Sequence, residues 1–406
     1  MNIEKITFPP MPPIPGVRLN AVSADIKKQG QLDLTLVELP ENTMACGLFT
    51  QNIFCAAPVT VCKNHLEKTH NSRYLLINSG NANACTGEEG MTAAQRCSQQ
   101  LAAQANVSVN QVLPFSTGVI GEPLPTEKIC QSLPLLMDGL DENHWDLAAK
   151  GIMTTDTCPK GATQTIVIDG EPLIVNGIAK GAGMIKPNMA TMLAYIVTNA
   201  QVSAELLQAT LKEANDLSFN RITIDGDTST NDSVILAATG KSAIALRDPS
   251  DEHYLAFRQA VITVFQTLAQ SIIRDGEGAT KFVSITVAEG SSSQQCLSVA
   301  YAIAQSPLVK TALFASDPNW GRIVAAIGYA DARGLNPQKI KIFLDDVLIV
   351  ENGGRAASYR ESEGQRVMSR PEINIRVGLA CGDFSETVWT TDLSYDYIKI
   401  NAEYRT

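Results

Sequence analysis

Residues 178–200 of this 406-residue chain read IAKGAGMIKPNMATMLAYIVTNA. Small residues surround Lys180 and Lys186, and an apolar run over 192–197 follows them. This order predicts a Gly-rich loop that leads into a buried strand. Thr191 stands at the mouth of that strand, directly after Ala190.

A threonine that starts a buried strand occupies the position used by N-terminal nucleophile enzymes. Cleavage before such a residue frees its α-amine, whose ordinary pKa of about 7.7–8.0 lets it act as a base for its own hydroxyl. The strand pattern alone favours a plainer interpretation, in which Thr191 is a β-forming residue behind a Gly-rich turn. Both interpretations remain open at this point.

Strands and helices alternate unevenly on both sides of this segment, which predicts a layered α/β or α+β fold. The predicted strands cover residues 31–39, 73–78, 165–168, 173–175, 192–197, 234–237, 282–287, 340–344, 346–350 and 372–377. The predicted helices cover residues 92–105, opened by a Thr92–Gln95 capping box, 204–215, capped by Ser203, 251–274, ended by Asp275-Gly276, and 297–304. The polar run at 288–294 is linker-like and predicts a boundary.

Composition excludes several classes of protein. Apolar residues make up 45% of the chain, enough for a large core, and the net charge of -10 argues against nucleic acid as a partner. The longest basic cluster is Lys27-Lys28, and no apolar run approaches the ~18 residues of a membrane span. Five prolines over residues 9–15 exclude a signal peptide. We therefore expect a soluble, cytoplasmic protein.

The cysteines and histidines predict no metal site. The nine cysteines form no CxxC pair and are expected to be ordinary buried thiols. The four histidines show neither HExxH nor HxH spacing. Acyl chemistry in this chain would therefore need a base other than histidine.

Several motifs, taken in order, resemble the ornithine acetyltransferase / glutamate N-acetyltransferase family of arginine biosynthesis. The ordered series spans about residues 10–406 with no missing block. It comprises Ser116-Thr-Gly-Val-Ile-Gly121, Met153-Thr-Thr-Asp-Thr157, Lys180-Gly-Ala-Gly-Met, Lys186-Pro-Asn-Met-Ala-Thr-Met-Leu193, Asp225-Gly-Asp-Thr-Ser-Thr-Asn-Asp232, Asp275-Gly-Glu-Gly-Ala-Thr-Lys281, Ser316-Asp-Pro-Asn-Trp-Gly-Arg322 and Tyr395 to Thr406.

The resemblance implies a precursor that cuts itself between Ala190 and Thr191. Residues 1–190 would form an α chain and residues 191–406 a β chain. Mature Thr191 would take the acetyl group from N2-acetylornithine and pass it to glutamate, in a ping-pong reaction through an acetyl-threonine ester. No cofactor is expected. The motifs leave open whether acetyl-CoA is a second acetyl donor, and the family suggests a heterotetramer of two α and two β chains.

The resemblance also implies roles for individual residues. Thr117, through its hydroxyl, and Gly118, through its backbone N–H, would form the oxyanion hole. The substrate would contact Thr154, Lys180, Thr191, Glu277, Asn401 and Thr406. By pattern alone, residues 116–118 would be an ordinary turn, Lys180 a surface charge and Glu277 a solvated turn. Lys180 and Thr191 can flank one site only if the intervening loop folds back.

For the fold, the resemblance implies an αββα-type sandwich like that of N-terminal nucleophile enzymes. Residues 191–287 would complete the catalytic core, and residues 288–406 would form a smaller C-terminal α/β domain. Two other functions remain open: a self-cleaving amidohydrolase or aminopeptidase with water as the acceptor, and an uncut protein that binds amino acids.

Overall fold

A computed structural model describes residue 3, residues 6–186 and residues 192–403. The chain divides into two compact units. The larger unit takes in residues 7–220 and 227–272, and the smaller takes in residues 221–226 and 273–406 with the N-terminal residues. Three predicted site residues, Ala190, Thr191 and Thr406, lie outside the described residues.

Strands and helices occur throughout the described ranges. The strands are β1 (Arg18–Val22), β2 (Leu34–Glu38), β3 (Met44–Phe49), β4 (Tyr74–Asn81), β5 (Val112–Val119), β6 (Lys160–Ile168), β7 (Glu171–Lys180), β8 (Leu193–Thr198), β9 (Gln201–Val202), β10 (Ile222–Thr223), β11 (Ser233–Ala238), β12 (Ala245–Leu246), β13 (Phe282–Gly290), β14 (Lys341–Leu344), β15 (Val347–Glu351), β16 (Gly354–Arg355), β17 (Glu372–Gly378) and β18 (Phe384–Thr391). The helices are α1 (Ala57–Lys68), α2 (Gly87–Ala105), α3 (Thr126–Asp138), α4 (Trp145–Gly151), α5 (Ala204–Asp216), α6 (Glu252–Arg274), α7 (Ser293–Ala304), α8 (Pro307–Phe314), α9 (Trp320–Tyr329), α10 (Glu361–Met368) and α11 (Tyr395–Ala402).

The larger unit stacks two sheets. One has the strand order β1-β2-β4-β5, and the other has the order β3-β11-β8-β7-β6. Strand β4 shows why both faces of the first sheet are buried. Leu75 and Ile77 face the core between the sheets, whereas Tyr74 and Leu76 pack against α2 and α3. A strand covered on both sides needs a continuous apolar run, and residues 74–77 provide one.

Helices cover the outer faces of this stack. Helices α2 and α3 lie on the first sheet, and α5 and α6 lie on the second. The contact of α6 with β7 is close, because a Cβ atom at Gly177 would lie 2.9 Å from Leu268 Cδ1 and 3.0 Å from Val264 Cγ1. Tyr195 on β8 fills the core between the sheets, edge-on to the Phe115 ring. The larger unit is therefore an αββα sandwich, as the resemblance predicts.

The smaller unit is a seven-stranded mixed sheet of order β10-β18-β13-β17-β14-β15-β16. Helices α7 to α10 contribute to one apolar core on this sheet. Along β17, Ile373, Ile375 and Val377 are buried while Glu372, Asn374 and Arg376 are exposed. This alternation is typical of a sheet with one covered face. The prediction of a smaller C-terminal α/β region is confirmed.

Seven of the fourteen predicted elements match the structure within two residues at both ends. The other seven differ by three to five residues at one end, among them β6, β7, α7, which begins four residues earlier than predicted, and α2. Helix α2 starts at Gly87, with Glu88 and Glu89 in its first turn, so the start at Thr92 is wrong. Gly90 explains the difference, since a Cβ there would lie 2.5 Å from the Asn83 side-chain oxygen. This glycine permits close packing and does not break the helix.

The linker-like run at 288–294 is a short connection. Strand β13 extends to Gly290 and α7 begins at Ser293, both inside the smaller unit. That unit takes up the chain at residue 273, ahead of the predicted domain boundary at 288. The division into α and β chains at residues 190 and 191 stays a prediction.

The described residues test two predictions from composition, on membrane-spanning segments and on buried cysteines. No single helix among them is both long and apolar enough to cross a membrane, although α7 and α8 together, as a bent pair, pass by length and composition. The nine cysteines are free thiols, of which Cys46, Cys62, Cys97 and Cys296 are buried. Cys85 is exposed, so the prediction of buried thiols is wrong for that residue.

Candidate active site

Lys180 and Thr117 meet in the larger unit, although 63 positions separate them. Thr117 lies on β5 and Lys180 ends β7, and their exposures are only 8% and 9%. The Lys180 ammonium donates a hydrogen bond to Thr117 Oγ1 at 3.1 Å. Because the hydroxyl oxygen accepts from a cation, its own hydrogen is polarised and available for donation to another acceptor. Lys180 is thus a buried residue and not a surface charge.

The antiparallel pairing of β7 and β8 brings Lys180 to the start of the predicted nucleophile strand. Lys180 pairs with Leu193, two residues after Thr191. The chain between them therefore folds back, which is the condition for Lys180 and Thr191 to flank one site. Thr191 itself lies outside the described residues.

Gly118 occupies a backbone position that only glycine fits. Its φ is +136°, and a Cβ atom there would lie 2.5 Å from Asn81 N and 2.6 Å from Gly80 O. Residues 116–118 lie within β5 and are not a turn. The β4–β5 ladder shifts register at Gly80 and Asn81, opposite Thr117 and Gly118. Such irregularities release backbone groups from regular pairing, as an oxyanion hole requires.

The Asp156 carboxylate links Thr154 to the end of β7, where Lys180 lies. One carboxylate oxygen accepts from the Thr154 backbone N–H at 2.9 Å. The other accepts from Gly181 N at 2.7 Å and from Lys160 Nζ at 2.6 Å. Since Gly181 directly follows Lys180, this carboxylate fixes both the Thr154 loop and the end of β7.

Lysine side chains dominate the charge around the Asp156 carboxylate. Burial by itself raises the pKa of the Asp156 carboxyl, but the charges of Lys160 and Lys180 outweigh burial and hold that pKa below its ordinary value. Burial lowers the pKa of the Lys27 ammonium to about 8, although Asp33 and Asp156 raise it. Lys27 Nζ donates to Met153 O at 2.6 Å. Three buried or half-buried lysines thus lie around one ionised aspartate, which suits a substrate carboxylate or a developing oxyanion.

The smaller unit brings together two other predicted site residues. Asn401 Nδ2, on α11, donates to Glu277 Oε2 at 2.7 Å. Glu277 follows α6 and is 8% exposed, so it is not a solvated turn residue. Gly278 permits this arrangement, because its φ is +66° and a Cβ there would lie 2.5 Å from Tyr397 N. Gly276, which with Asp275 is predicted to end α6, does not have a positive φ.

The smaller unit contains two further acidic residues of the quoted motifs. The Tyr397 hydroxyl donates to Asp225 Oδ2 at 3.2 Å. Asp275, two residues before Glu277 in the chain, is buried. Carboxylates are suited to bind a cationic amine.

The sequence prediction missed three residues of the larger unit. Asp156 and Asp232 belong to motifs quoted above but received no role, and Asn231 bonds to the carbonyl of Ser116, next to Thr117, at 2.9 Å. Asn231 and Asp232 directly precede the apolar strand β11, and Asp156 lies in the loop before β6. Among residues 6–186 and 192–403, no group of three His, Cys, Asp or Glu side chains is arranged to hold a metal ion.

Comparison with known proteins agrees with the motif series. The ArgJ family matches residues 18–406. The chain is 53% identical over 400 residues to the arginine biosynthesis bifunctional protein ArgJ of Pseudomonas fluorescens, and 52% identical to that of Pseudomonas syringae pv. tomato. Each alignment covers 98% of both proteins.

One solved structure resembles half of the chain. The arginine biosynthesis bifunctional protein argJ of Bacillus halodurans aligns with a TM-score of 0.50 and 36% identity. The alignment covers 52% of this chain and 99% of that one. The family resemblance predicted from the motifs is confirmed, as is the prediction of an enzyme: the chain belongs to the ArgJ family.

Proposed function

We propose that this enzyme cuts itself before Thr191 and then transfers acetyl groups from N2-acetylornithine to glutamate. The products are ornithine and N-acetylglutamate, within arginine biosynthesis. The observation that supports this most directly is the hydrogen bond from Lys180 to the Thr117 hydroxyl, at the end of the hairpin whose second strand begins just after Thr191.

Self-cleavage needs only groups of the chain and one water. The Thr191 hydroxyl attacks the Ala190 carbonyl, and its proton passes to the departing amide nitrogen. This N-to-O shift converts the peptide bond into an ester and frees the Thr191 α-amine. Water then hydrolyses the ester, which leaves a carboxylate on Ala190 and restores the hydroxyl of Thr191.

Acetyl transfer uses the same hydroxyl twice. Thr191 Oγ attacks the acetyl carbonyl of N2-acetylornithine while the α-amine takes its proton. The tetrahedral oxyanion collapses, and ornithine leaves with that proton on its amine. The glutamate amine then attacks the acetyl ester, the bond from the acetyl carbon to Thr191 Oγ breaks, and the amine proton returns to Thr191 Oγ, so that N-acetylglutamate leaves and the hydroxyl is restored. Thr117 and Gly118 supply the donors for the oxyanion of each step, and Lys180 strengthens the Thr117 donor.

Two of the proposed contact residues carry a charge that suits this substrate. Lys180, among the buried lysines of the larger unit, is suited to the carboxylate. Glu277, which accepts a hydrogen bond from Asn401, is suited to the side-chain ammonium. Thr154, Asn401 and Thr406 complete the proposed set of substrate contacts.

We extend the proposal to a second reaction, acetylation of glutamate by acetyl-CoA, because the Pseudomonas relatives are named bifunctional. After cleavage, a shared sheet would hold the two chains together. In it, β8 of the proposed β chain pairs with β7 of the α chain, and β11 of the β chain pairs with β3 of the α chain. The proposed assembly is a heterotetramer of two α and two β chains without a cofactor, and the expected location is the cytoplasm.

The test compares the purified enzyme with its Thr191→Ala variant. Each is incubated with N2-acetylornithine, with and without glutamate, and ornithine, N-acetylglutamate and acetate are quantified. We expect the wild type to be cut and to form ornithine and N-acetylglutamate in equal amounts. The variant, which lacks the hydroxyl, should remain one chain and form neither product.

Two results would contradict the proposal. Acetate in place of N-acetylglutamate would identify an amidohydrolase with water as the acceptor. A cut or active Thr191→Ala variant would remove Thr191 from the role of nucleophile.

A further inference from the structure

A buried carboxylate that the proposed reaction does not use holds the Glu277 loop, residues 275–281. One oxygen of Asp392 accepts from the backbone N–H of Thr280 at 2.8 Å and from that of Lys281 at 3.0 Å. The other oxygen accepts from the Thr280 hydroxyl. Asp392 is 4% exposed, so these bonds stand in place of its hydration. The loop and Asp392 both belong to the smaller unit.

Asp392 also lies where the chain turns from the sheet into α11. It directly follows β18 and stands two residues before Ser394, whose hydroxyl oxygen caps α11 by accepting from Tyr397 N. Strands β18 and β13 pair with Thr391 opposite Phe282, the residue that follows the Glu277 loop. The Asp392 carboxylate therefore joins the loop to the segment that leads into α11.

Helix α11 meets the Glu277 loop at two more places. At the first, the backbones are so close that a Cβ atom at Gly278 would lie 2.5 Å from Tyr397 N. At the second, near the end of the helix, Asn401 Nδ2 donates to Glu277 Oε2 at 2.7 Å. The position of the Glu277 carboxylate thus depends on how α11 lies against the loop.

Asp392 has a second action, through its charge. On α8, the buried Lys310 donates from Nζ to Thr390 Oγ1 at 3.1 Å and to Thr391 O. Burial lowers the pKa of the Lys310 ammonium to about 8 and also lowers that of Lys281, and the charge of Asp392 opposes both shifts. The charge of Asp392 therefore stabilises buried lysines, whereas its oxygens hold the loop.

We propose that Asp392 is the positioning residue for Glu277: it holds the Glu277 loop against the start of α11, so that the Glu277 carboxylate stays beside Asn401 in the conformation that binds the side-chain ammonium of the substrate. This inference rests on the proposed function, since it needs Glu277 to bind that ammonium. Asp392 acts through the loop backbone and does not itself contact the substrate.

Two substitutions separate the two actions of Asp392. Alanine removes the charge and both oxygens. Asparagine removes the charge but keeps one oxygen for the N–H groups of Thr280 and Lys281, and its amide can donate to Thr280 Oγ1. We expect Asp392→Asn to unfold at a lower temperature and to keep its KM, and Asp392→Ala to lose both stability and affinity.

The expected size of the effect has an upper limit, which is the effect of losing the Glu277 charge itself. A hydrogen bond to a charged group corresponds to about 10- to 100-fold in binding, so Asp392→Ala should raise the KM for N2-acetylornithine about 10-fold. Its kcat should change less than about threefold, because binding of the ammonium is the same in the ground state and the transition state. The KM for glutamate, which has no side-chain ammonium, should also change less than about threefold.

The experiment uses full-length, cut enzyme and measures kcat, both KM values and thermal unfolding. Besides the two Asp392 variants it includes Thr280→Val, which removes only the hydroxyl bond to Asp392 and decides the question if Asp392→Ala does not fold. The matched control is Asp345→Ala. Asp345 also accepts a backbone N–H, from Asn374 at 2.8 Å, in the turn between β14 and β15 of the same unit.

A double variant tests whether Asp392 acts through Glu277. In a Glu277→Gln background the group to be positioned is already lost, so adding Asp392→Ala should raise the KM for N2-acetylornithine less than about twofold further. A purely structural role would instead add its full effect in that background.

We expect a higher KM for N2-acetylornithine alone in Asp392→Ala, a smaller rise in Thr280→Val, and a wild-type KM in Asp392→Asn and Asp345→Ala. The inference is overturned if Asp392→Ala or, failing that, Thr280→Val keeps the wild-type KM, if both KM values rise together, if Asp345→Ala raises the KM as much, or if the double variant is additive. In these cases the wild type still transfers acetyl groups. A wild type that forms neither ornithine nor N-acetylglutamate overturns the proposed function, and this inference with it.

Discussion

Replacing Thr117 by valine is the sharpest perturbation of the proposed oxyanion hole. Valine fills the same volume but puts a methyl group where the hydroxyl accepts from Lys180 Nζ at 3.1 Å. The substitution thus removes one donor to the oxyanion and one acceptor of the lysine. Gly118 and its backbone N–H stay in place.

The substitution should lower both kcat and the free energy of unfolding. Loss of one oxyanion donor lowers kcat by about 10²–10³-fold, or about 2.7–4 kcal/mol. Loss of a hydrogen bond to a charged group costs the folded state about 1.5–3 kcal/mol. Asp156 limits the loss of stability, because its carboxylate charge still interacts with Lys180.

Single-turnover kinetics separate the two half-reactions. The release of ornithine on mixing with N2-acetylornithine reports acylation, and the release of N-acetylglutamate on addition of glutamate reports deacylation. Both pass through a tetrahedral oxyanion, so Thr117→Val should slow both by similar factors. Thr117→Ser, which keeps the hydroxyl, should retain most of the rate.

A second control isolates the effect of losing a buried hydroxyl. Thr43 is fully buried and its hydroxyl donates to Pro40 O at 2.7 Å, so Thr43→Val makes the same chemical change elsewhere in the larger unit. We expect that variant to lose stability and to keep its rate. Slowing of only one half-reaction by Thr117→Val, or a rise in KM with kcat unchanged, would refute the oxyanion role.

Two further substitutions test other parts of the site. Gly118→Ala should mainly destabilise the protein, because a Cβ there would lie 2.5 Å from Asn81 N at a φ of +136°; thermal unfolding checks this, and a wild-type midpoint would contradict the geometry. Glu277→Gln keeps an oxygen for Asn401 Nδ2 but loses its charge. Its KM for N2-acetylornithine should rise about 10- to 100-fold, as expected for a hydrogen bond to a charged group. An unchanged KM in steady-state assays would remove Glu277 from amine binding.

Local sequence patterns predicted part of the fold. Ser203 caps α5 by accepting from Leu206 N, as its place before an apolar helix predicts. The turn at Asp169-Gly170 joins β6 and β7, since both residues adopt the positive φ that such turns need. The start of α2 could not be predicted in this way, because Gly90 is selected by the space beside Asn83 and not by helix propensity.

Local sequence patterns also predicted only part of the candidate site. The motif series names Thr117, Lys180, Glu277 and Asn401 singly, but the pairs they form cross 63 and 124 positions and depend on strand register and helix placement. Asp232 has no pattern of its own that separates it from an ordinary polar residue ahead of a strand. Only the fold brings the neighbouring Asn231 side-chain amide to the Ser116 carbonyl.

The central claim is that Thr191 carries the acetyl group, and an intact mass of the acylated enzyme tests it most directly. The purified protein is incubated with N2-acetylornithine in the absence of glutamate and denatured in acid. We predict two chains, residues 1–190 and 191–406, with one acetyl group on the N-terminal threonine of the second that glutamate removes. An uncut chain that still transfers acetyl, or an acetyl group on residues 1–190, would contradict the mechanism.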